Sequence, residues 1–224
     1  EPKAEYEAGV ASFIQSILAD DEFTGSLQQF VQPLVAPGRV NSLAQALVKL
    51  TSPGVPDIYQ GTELWDLSLV DPDNRRPVDF ALRRKLLAEV VHLTPEEILA
   101  RGDEGLPKLW LTRQVLHLRR RHPQWFGKEG CYAPLLPEGA RAGSLFAFLR
   151  ADSCLAAIPL RVLSTQGQWG DTRLPLPQGE WVNTLTGESC RQAVPAADLF
   201  ARFPVALLVR QDSLRGPQTA TGAT

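Results

Sequence analysis

The chain contains no methionine, and only three cysteines and three histidines in 224 residues. Cys131, Cys154 and Cys190 are odd in number, widely spaced and free of any C-x-x-C pair. Neither a disulfide framework nor a zinc pattern follows from that, so they read as reduced packing residues. His92, His117 and His122 lack a histidine partner four residues on and an acidic cluster nearby, so no metal and no other cofactor is expected. Glycine-rich phosphate-binding patterns are absent, and Ser52, Ser68 and Ser144 lack the Gly-x-Ser-x-Gly setting of a nucleophile elbow. No apolar run approaches the roughly 18 residues of a spanning helix, and the opening EPKAEYEAGV lacks the apolar centre of a signal peptide, which predicts a soluble, cytoplasmic protein. Charge of one sign is also missing. With 23 basic and 25 acidic residues the formal net charge is −2, which gives no case for nucleic acid or an anionic membrane as partner and suits a neutral substrate. The start at Glu1 without an initiator methionine predicts a piece of a longer chain.

What is present is ordinary globular material, 44% hydrophobic and 21% charged, enough for one large or two small cores. Val10, Phe13, Ile14 and Leu18 lie at helical spacing within residues 6–19. A second helix is predicted from about Thr24, on Leu27, Phe30, Val31 and Leu34, ending before Pro37 and Gly38. A third is predicted from a cap at Asn41 or Ser42, on Leu43, Leu47, Val48 and Leu50, to Ser52. Val55, Ile58 and Tyr59, punctuated by Pro53, Gly54, Pro56 and Gly61, predict a brief buried strand. A polar loop follows, and Pro77 and Asp79 open a helix with a stripe at Leu82, Leu86, Leu87, Val90 and Val91. Thr94-Pro95-Glu96-Glu97 begins another short helix. The next runs from about Pro107 to His122, with Arg119, Arg120 and Arg121 in its last turn, where they suit the helix dipole.

From Cys131 the pattern changes to short runs at 145–149, 154–160, 180–184 and 204–210, separated by turn residues, with Thr186-Gly187-Glu188 a hairpin turn. These predict an antiparallel sandwich or barrel-like sheet. The tail from Ser213 has no apolar periodicity and predicts disorder.

The stretch PGVPDIYQGTEL followed by SLVDPDNRRPVDF resembles, in order and spacing over some thirty residues, the eighth barrel strand and its loop in enzymes of the α-amylase clan. NSLAQALVKL before it fits the same family, and WVNTLTG and LFARFPVALLV resemble the β-domain that follows the barrel there. The resemblance implies mixed α and β architecture: residues 1–125 as the C-terminal portion of a (β/α)8 barrel with a helical extension, 126–212 as a β-sandwich domain, and 213–224 as a tail. Within the clan it points to the branch that performs intramolecular transglucosylation, turning the reducing-end α-1,4 bond of a maltooligosaccharide into an α,α-1,1 bond. The implied partners are the maltooligosaccharide and the preceding barrel portion of the same enzyme. A barrel strand separated from its neighbours also predicts self-association.

The loop carries the candidate site residues Tyr59, Glu63, Trp65, Asp71 and Arg75. Asp71-Pro72-Asp73-Asn74 suits a type I turn that would return Arg75 towards Asp71. On spacing alone such a pair braces the loop. A carboxylate and a guanidinium side by side also match two neighbouring sugar hydroxyls, and the resemblance implies that this pair contacts a glucose unit. Glu63 and Asp66 have the look of paired carboxyls flanking a glycosidic bond, but the resemblance implies that Glu63 hydrogen-bonds neighbouring loops. Trp65 and Tyr59 offer flat apolar faces to a sugar ring, or pack in the core. The three carboxyls of the clan's chemistry come from earlier strands and map to no residue here, so the chain alone is expected to be inactive. Two other readings stay open: part of an α-glucan hydrolase of the same clan, and a non-catalytic carbohydrate-binding or structural piece.

Overall fold

The computed structural model describes residues 3–69, 71 and 73–214. It divides into two compact units, Glu1–Arg39 and Val40–Thr224. Helix α1 spans Ala4–Leu18 and buries no residue. Its stripe of Val10, Phe13, Ile14 and Leu18 forms as spaced, yet all four side chains are exposed.

Helix α2, Asp21–Thr51, is one continuous helix of 31 residues with Pro33 and Pro37 inside it. The expected break before Pro37 and Gly38 is therefore absent. A proline removes one N–H and crowds the carbonyl four residues earlier. Here those carbonyls belong to Gln29 and Pro33, both exposed, so the freed acceptors face solvent and the helix continues.

The larger unit begins within α2, whose Leu43, Leu47 and Leu50 are buried. After it, residues 55–59 form no regular element, which corrects the expected strand. Pro53 and Pro56 cannot donate, and among the described residues the first strand occurs only at Tyr132 and pairs elsewhere. The segment has no ladder to join. Ile58 alone packs on the core, while Val55 is 96% exposed.

Helices α3 (Phe80–Glu89), α4 (Pro95–Ala100), α5 (Leu106–Arg121) and α6 (Pro123–Phe126) follow. Their starts are set locally. Asp79 accepts from the Leu82 amide at 2.8 Å, and Thr94 with Glu97 forms a reciprocal capping box on α4, each satisfying orphan amides of a first turn. Gly105 stands between a 3-10 turn and α5 with φ of +80°, a conformation that glycine enters without a Cβ clash.

The helix-to-strand change falls between Phe126 and Tyr132. Strands β1 (Tyr132–Leu135), β2 (Leu145–Arg150) and β3 (Cys154–Pro159) come first, then helix α7 (Val162–Thr165), strands β4 (Arg173–Asn183) and β5 (Ser189–Pro195), helix α8 (Ala196–Leu199), strand β6 (Ala206–Arg210) and helix α9 (Gln211–Leu214). Among the described residues all six strands belong to one antiparallel sheet, ordered β1-β2-β3-β6-β4-β5. Of the two expected arrangements, sandwich or barrel-like sheet, the single curled sheet is nearer the second. The sheet curls, so that residues of β2, β4 and β5 share one apolar cluster with Trp169 and Leu199, and a bridge from Glu138 to Arg173 ties the segment after β1 to β4. Curling lets one sheet enclose a core that a flat sheet would leave to a second layer. Ser213 and Leu214 close α9, whereas 215–224, most of the expected tail, lie outside the described residues.

Alternation along the strands serves two cores. Leu145, Ala147, Leu149, Leu155, Ala157, Ala206 and Leu208 enter the curl. Phe148, Cys154, Ala156, Ile158, Leu207 and Val209 face the other way and join Leu47, Leu86, Val90, Ile98, Leu111 and Val115 of the helices. One core thus crosses the helix-to-strand change, and each fully buried leucine in it contributes about 1.5–3 kcal/mol. Cys154 sits in this core, where burial pushes its thiol up to about 12.

Candidate functional site

The loop between residues 60 and 79 and the first turns of α3 line an open cleft of about 450 Å³, with Trp65, Asp66, Asp73, Arg76 and Arg83 among its walls. Asp79 starts α3 and thereby places Arg83 one turn in, facing back to the loop. From there Arg83 donates from Nε to Glu63 Oε2 at 3.1 Å, from Nη2 to Gly61 O at 2.6 Å and from Nη1 to Asp79 O at 3.1 Å. One guanidinium thus fixes the near end of the loop, using the fork geometry that suits arginine to several acceptors at once. Trp65 is held from the other side. Its indole Nε1 donates to Gly102 O at 2.5 Å, which leaves the ring partly exposed at the cleft.

The acidic groups are each engaged. Asp66 accepts from the Ser68 hydroxyl at 2.6 Å and the Ser68 amide at 2.9 Å. These two bonds, foremost the hydroxyl, hold its carboxyl below the usual aspartate value. Asp73 accepts from the Leu69 amide at 2.8 Å and pairs with Arg76. Lys108, on α5, has its pKa lowered first by burial and next by Lys49, while Asp66 and Glu63 act to raise it. A half-buried ammonium therefore stands in the field of the two loop carboxylates.

Asp71 and Arg75 meet as a bidentate pair, with Arg75 Nε and Nη2 donating to the two Asp71 oxygens at 2.6 and 2.7 Å. Asp73–Arg75 is a short 3-10 turn, which brings the guanidinium back over Asp71; Pro72 of the expected turn lies outside the described residues. The pair is largely exposed, at 56% and 67% for the two side chains. Neither residue lines the cleft, and Tyr59 and Glu63 do not line it either; of the five expected site residues only Trp65 does. Tyr59 is partly exposed beside the loop start, where its carbonyl accepts from the Thr62 amide and hydroxyl.

This geometry holds flat aromatic surface, fixed carboxylates and guanidinium groups on one loop, a set suited to hydroxyl-rich neutral ligands. No family model matches the chain. Among curated proteins it is 40% identical over 213 residues, 95% of its length, to one named maltooligosyl trehalose synthase from Mycobacterium tuberculosis. Over nearly its whole length the chain is similar to one part of that protein. It spans about a quarter of that relative, 26% of its length. Solved structures agree. Maltooligosyltrehalose synthase from Arthrobacter ramosus matches with a TM-score of 0.79 and 38% identity, over 87% of this chain and 25% of that one. A protein from Sulfolobus tokodaii titled as a hypothetical maltooligosyl trehalose synthase matches with a TM-score of 0.69 and 29% identity, over 93% of this chain and 26% of that one.

What the sequence did not reveal is the support of the loop. Arg83 lies 20 residues from Glu63 and Gly102 lies 37 from Trp65. No local pattern links such positions. An arginine one turn into a capped helix beside a polar loop is the only local signal that could have drawn notice to Arg83.

Proposed function

We propose that this chain is the C-terminal part of a maltooligosyltrehalose synthase, the trehalose-forming intramolecular transglucosylase. Identity of 40% across 95% of the chain carries this reading. In the intact protein residues 1–125 would belong to a (β/α)8 barrel of the α-amylase clan, with 55–59 gaining ladder partners from strands outside this chain, and 126–212 would form the β-domain that follows. The loop of Trp65, Asp71 and Arg75 would line the sugar-binding side, with the Asp71–Arg75 pair bonding hydroxyls of a glucose unit and Trp65 stacking on a ring face.

Chemistry of this kind uses a carboxylate nucleophile and a second carboxyl as acid and base about 5 Å apart. The loop does not supply them. A general acid must be protonated at the working pH, whereas Ser68 holds Asp66 ionised, and Glu63 is occupied by Arg83. The chain alone is therefore expected to be inactive. Incubating the full-length protein with maltopentaose and following reducing ends and trehalose-ended product tests the reading. Formation of the trehalose end supports it; release of glucose and maltose alone would make the protein a hydrolase of the same clan. Turnover by the 224-residue chain that vanishes in Glu63→Gln would show that the loop itself is the catalytic centre.

A further inference from the structure

A second cavity, of about 490 Å³, opens between residues 53–55, the end of α5, the 123–132 segment and β2. Among the described residues its lining includes three cationic side chains, Arg119, Lys128 and Arg150, and no carboxylate. Arg150 is the unusual member. It is 1% exposed, and its Nε and Nη2 both donate to one acceptor, Trp125 O, at 3.2 and 3.1 Å. Its Nη1 is buried and hydrogen-bonds to nothing among the described residues. Arg119 donates to Leu50 O at 2.8 Å and Gly54 O at 3.2 Å and lies 4.7 Å over the Phe126 ring. Burial, then the charge of Arg150, lower its pKa. The two guanidinium groups thus feel each other, and their acceptors among the described residues are neutral carbonyls.

A buried cation is tolerated when a counter-charge or a full set of acceptors meets it. Capping the Trp125 carbonyl accounts for two of the donors on Arg150 and leaves Nη1 unexplained. Gly130, also in the lining, keeps the wall thin at this place: a Cβ there would lie 3.0 Å from Arg150 Nη2 and 2.0 Å from Trp125 O. The planar fork of arginine matches the oxygens of a carboxylate or a phosphate.

We propose that this cavity binds an oxyanion, carboxylate or phosphate, on Arg150 Nη1, with Arg119 and Lys128 supplying the surrounding positive charge. The anion is either free in solution or a side-chain carboxylate from the part of the protein outside this chain. Only the second source rests on the reading of the chain as part of a longer synthase.

The test is calorimetric titration of inorganic phosphate, at fixed ionic strength set with chloride, into the 224-residue chain and into the full-length protein. Saturable binding to both identifies a free-anion site. Binding to the chain but not to the full-length protein identifies an internal carboxylate already seated there. In the binding form Arg150→Met is expected to weaken the affinity by about tenfold or more, the scale of a charged hydrogen bond. Lys128→Gln, at an exposed position whose loss leaves the core intact, is expected to weaken it up to about fivefold. Saturable binding by neither protein, or binding that is unchanged in both variants, overturns the proposal. So does maltopentaose-independent phosphate binding that shifts only in variants of the 60–79 loop.

Discussion

Gly105→Ala tests how the candidate loop is held. At φ of +80° an L-residue sits in the left-handed region, which costs about 1–2 kcal/mol. The new Cβ would also lie 3.1 Å from Leu64 Cβ, 3.1 Å from the Trp65 amide nitrogen and 3.2 Å from Leu64 Cα. Two of these three atoms are backbone and Leu64 is buried, so no flexible side chain can swing away and the loop itself must move. Overpacking of this kind costs about 1–3 kcal/mol. The expected total is about 2–5 kcal/mol. Gly167→Ala is the control. Gly167 has φ of +72° with no atom within 4 Å of its would-be Cβ, so only the backbone cost of about 1–2 kcal/mol applies. Urea unfolding of both variants at unchanged m separates the two effects. Gly105→Ala should also weaken kcat/KM of the full-length protein, because displacing Leu64 and Trp65 moves the cleft wall. Equal shifts of the urea midpoint in the two variants would refute the idea that the Leu64–Trp65 segment rests against Gly105.

Asp71→Ala and Arg75→Ala in the full-length protein are expected to lower turnover on maltooligosaccharides by about one to two powers of ten, a charged hydrogen bond of about 1.5–3 kcal/mol. Each should change stability by less than about 1 kcal/mol, because the pair is exposed; unchanged kinetics in both would leave the pair a brace. Acid should destabilise the helical part. Glu96, Glu97 and Glu104 have pKa values held below their ordinary 4.5, Glu96 chiefly by the Arg202 hydrogen bonds, Glu97 by the Thr94 amide and Glu104 by Arg101. Depressed carboxyls stabilise fully above the unfolded value and lose that contribution as pH falls through the folded one, so the urea midpoint should be flat down to about pH 5 and then drop, less steeply in Arg202→Gln. Thiol labelling at pH 8 should take Cys131, which is exposed, first. Cys190, pushed to about 11, should react slowly, and Cys154, pushed to about 12 and buried, only on unfolding; rapid labelling of Cys154 in folded protein would mean that the shared core opens.

Elements whose causes are local were legible in the sequence. Asp79 and Thr94 cap helices because the orphan amides they satisfy are each three residues away, and α5, Leu106–Arg121, begins and ends within a residue of the predicted Pro107 and His122. The Asp71–Arg75 contact belongs to the same class, four residues apart. β5 was missed because Ser189–Pro195 is an edge strand mostly exposed along its length, which leaves no alternation to read. The first half of β4 was missed because Pro175 and Pro177 argue against a strand, while the register there shifts between Pro175 and Glu180, so the prolines fall where the ladder is already irregular. The one-sheet topology, the Glu63–Arg83 pair and the Trp65–Gly102 bond join residues far apart in sequence, and no window of neighbours contains them.

The remaining disagreements have a common character. Residues 55–59 are patterned as a strand and form none, and α1 carries a helical apolar stripe that it buries against nothing among the described residues. A sequence that folds to one state has local preference and tertiary contact in agreement, so a preference left without contact signals a surface that is missing its counterpart. Error in the pattern is the competing explanation, but the same rules placed α3, α4 and α5 closely, and they apply to α1 without change: the helix forms where predicted and only its burial fails. The unmatched surface is therefore a property of these residues' surroundings and not of their propensity. Since the synthase homologues are about four times as long as the aligned region, the additional chain needed to cover such faces exists in the relatives, and the two exposed apolar features mark where its contacts would be sought.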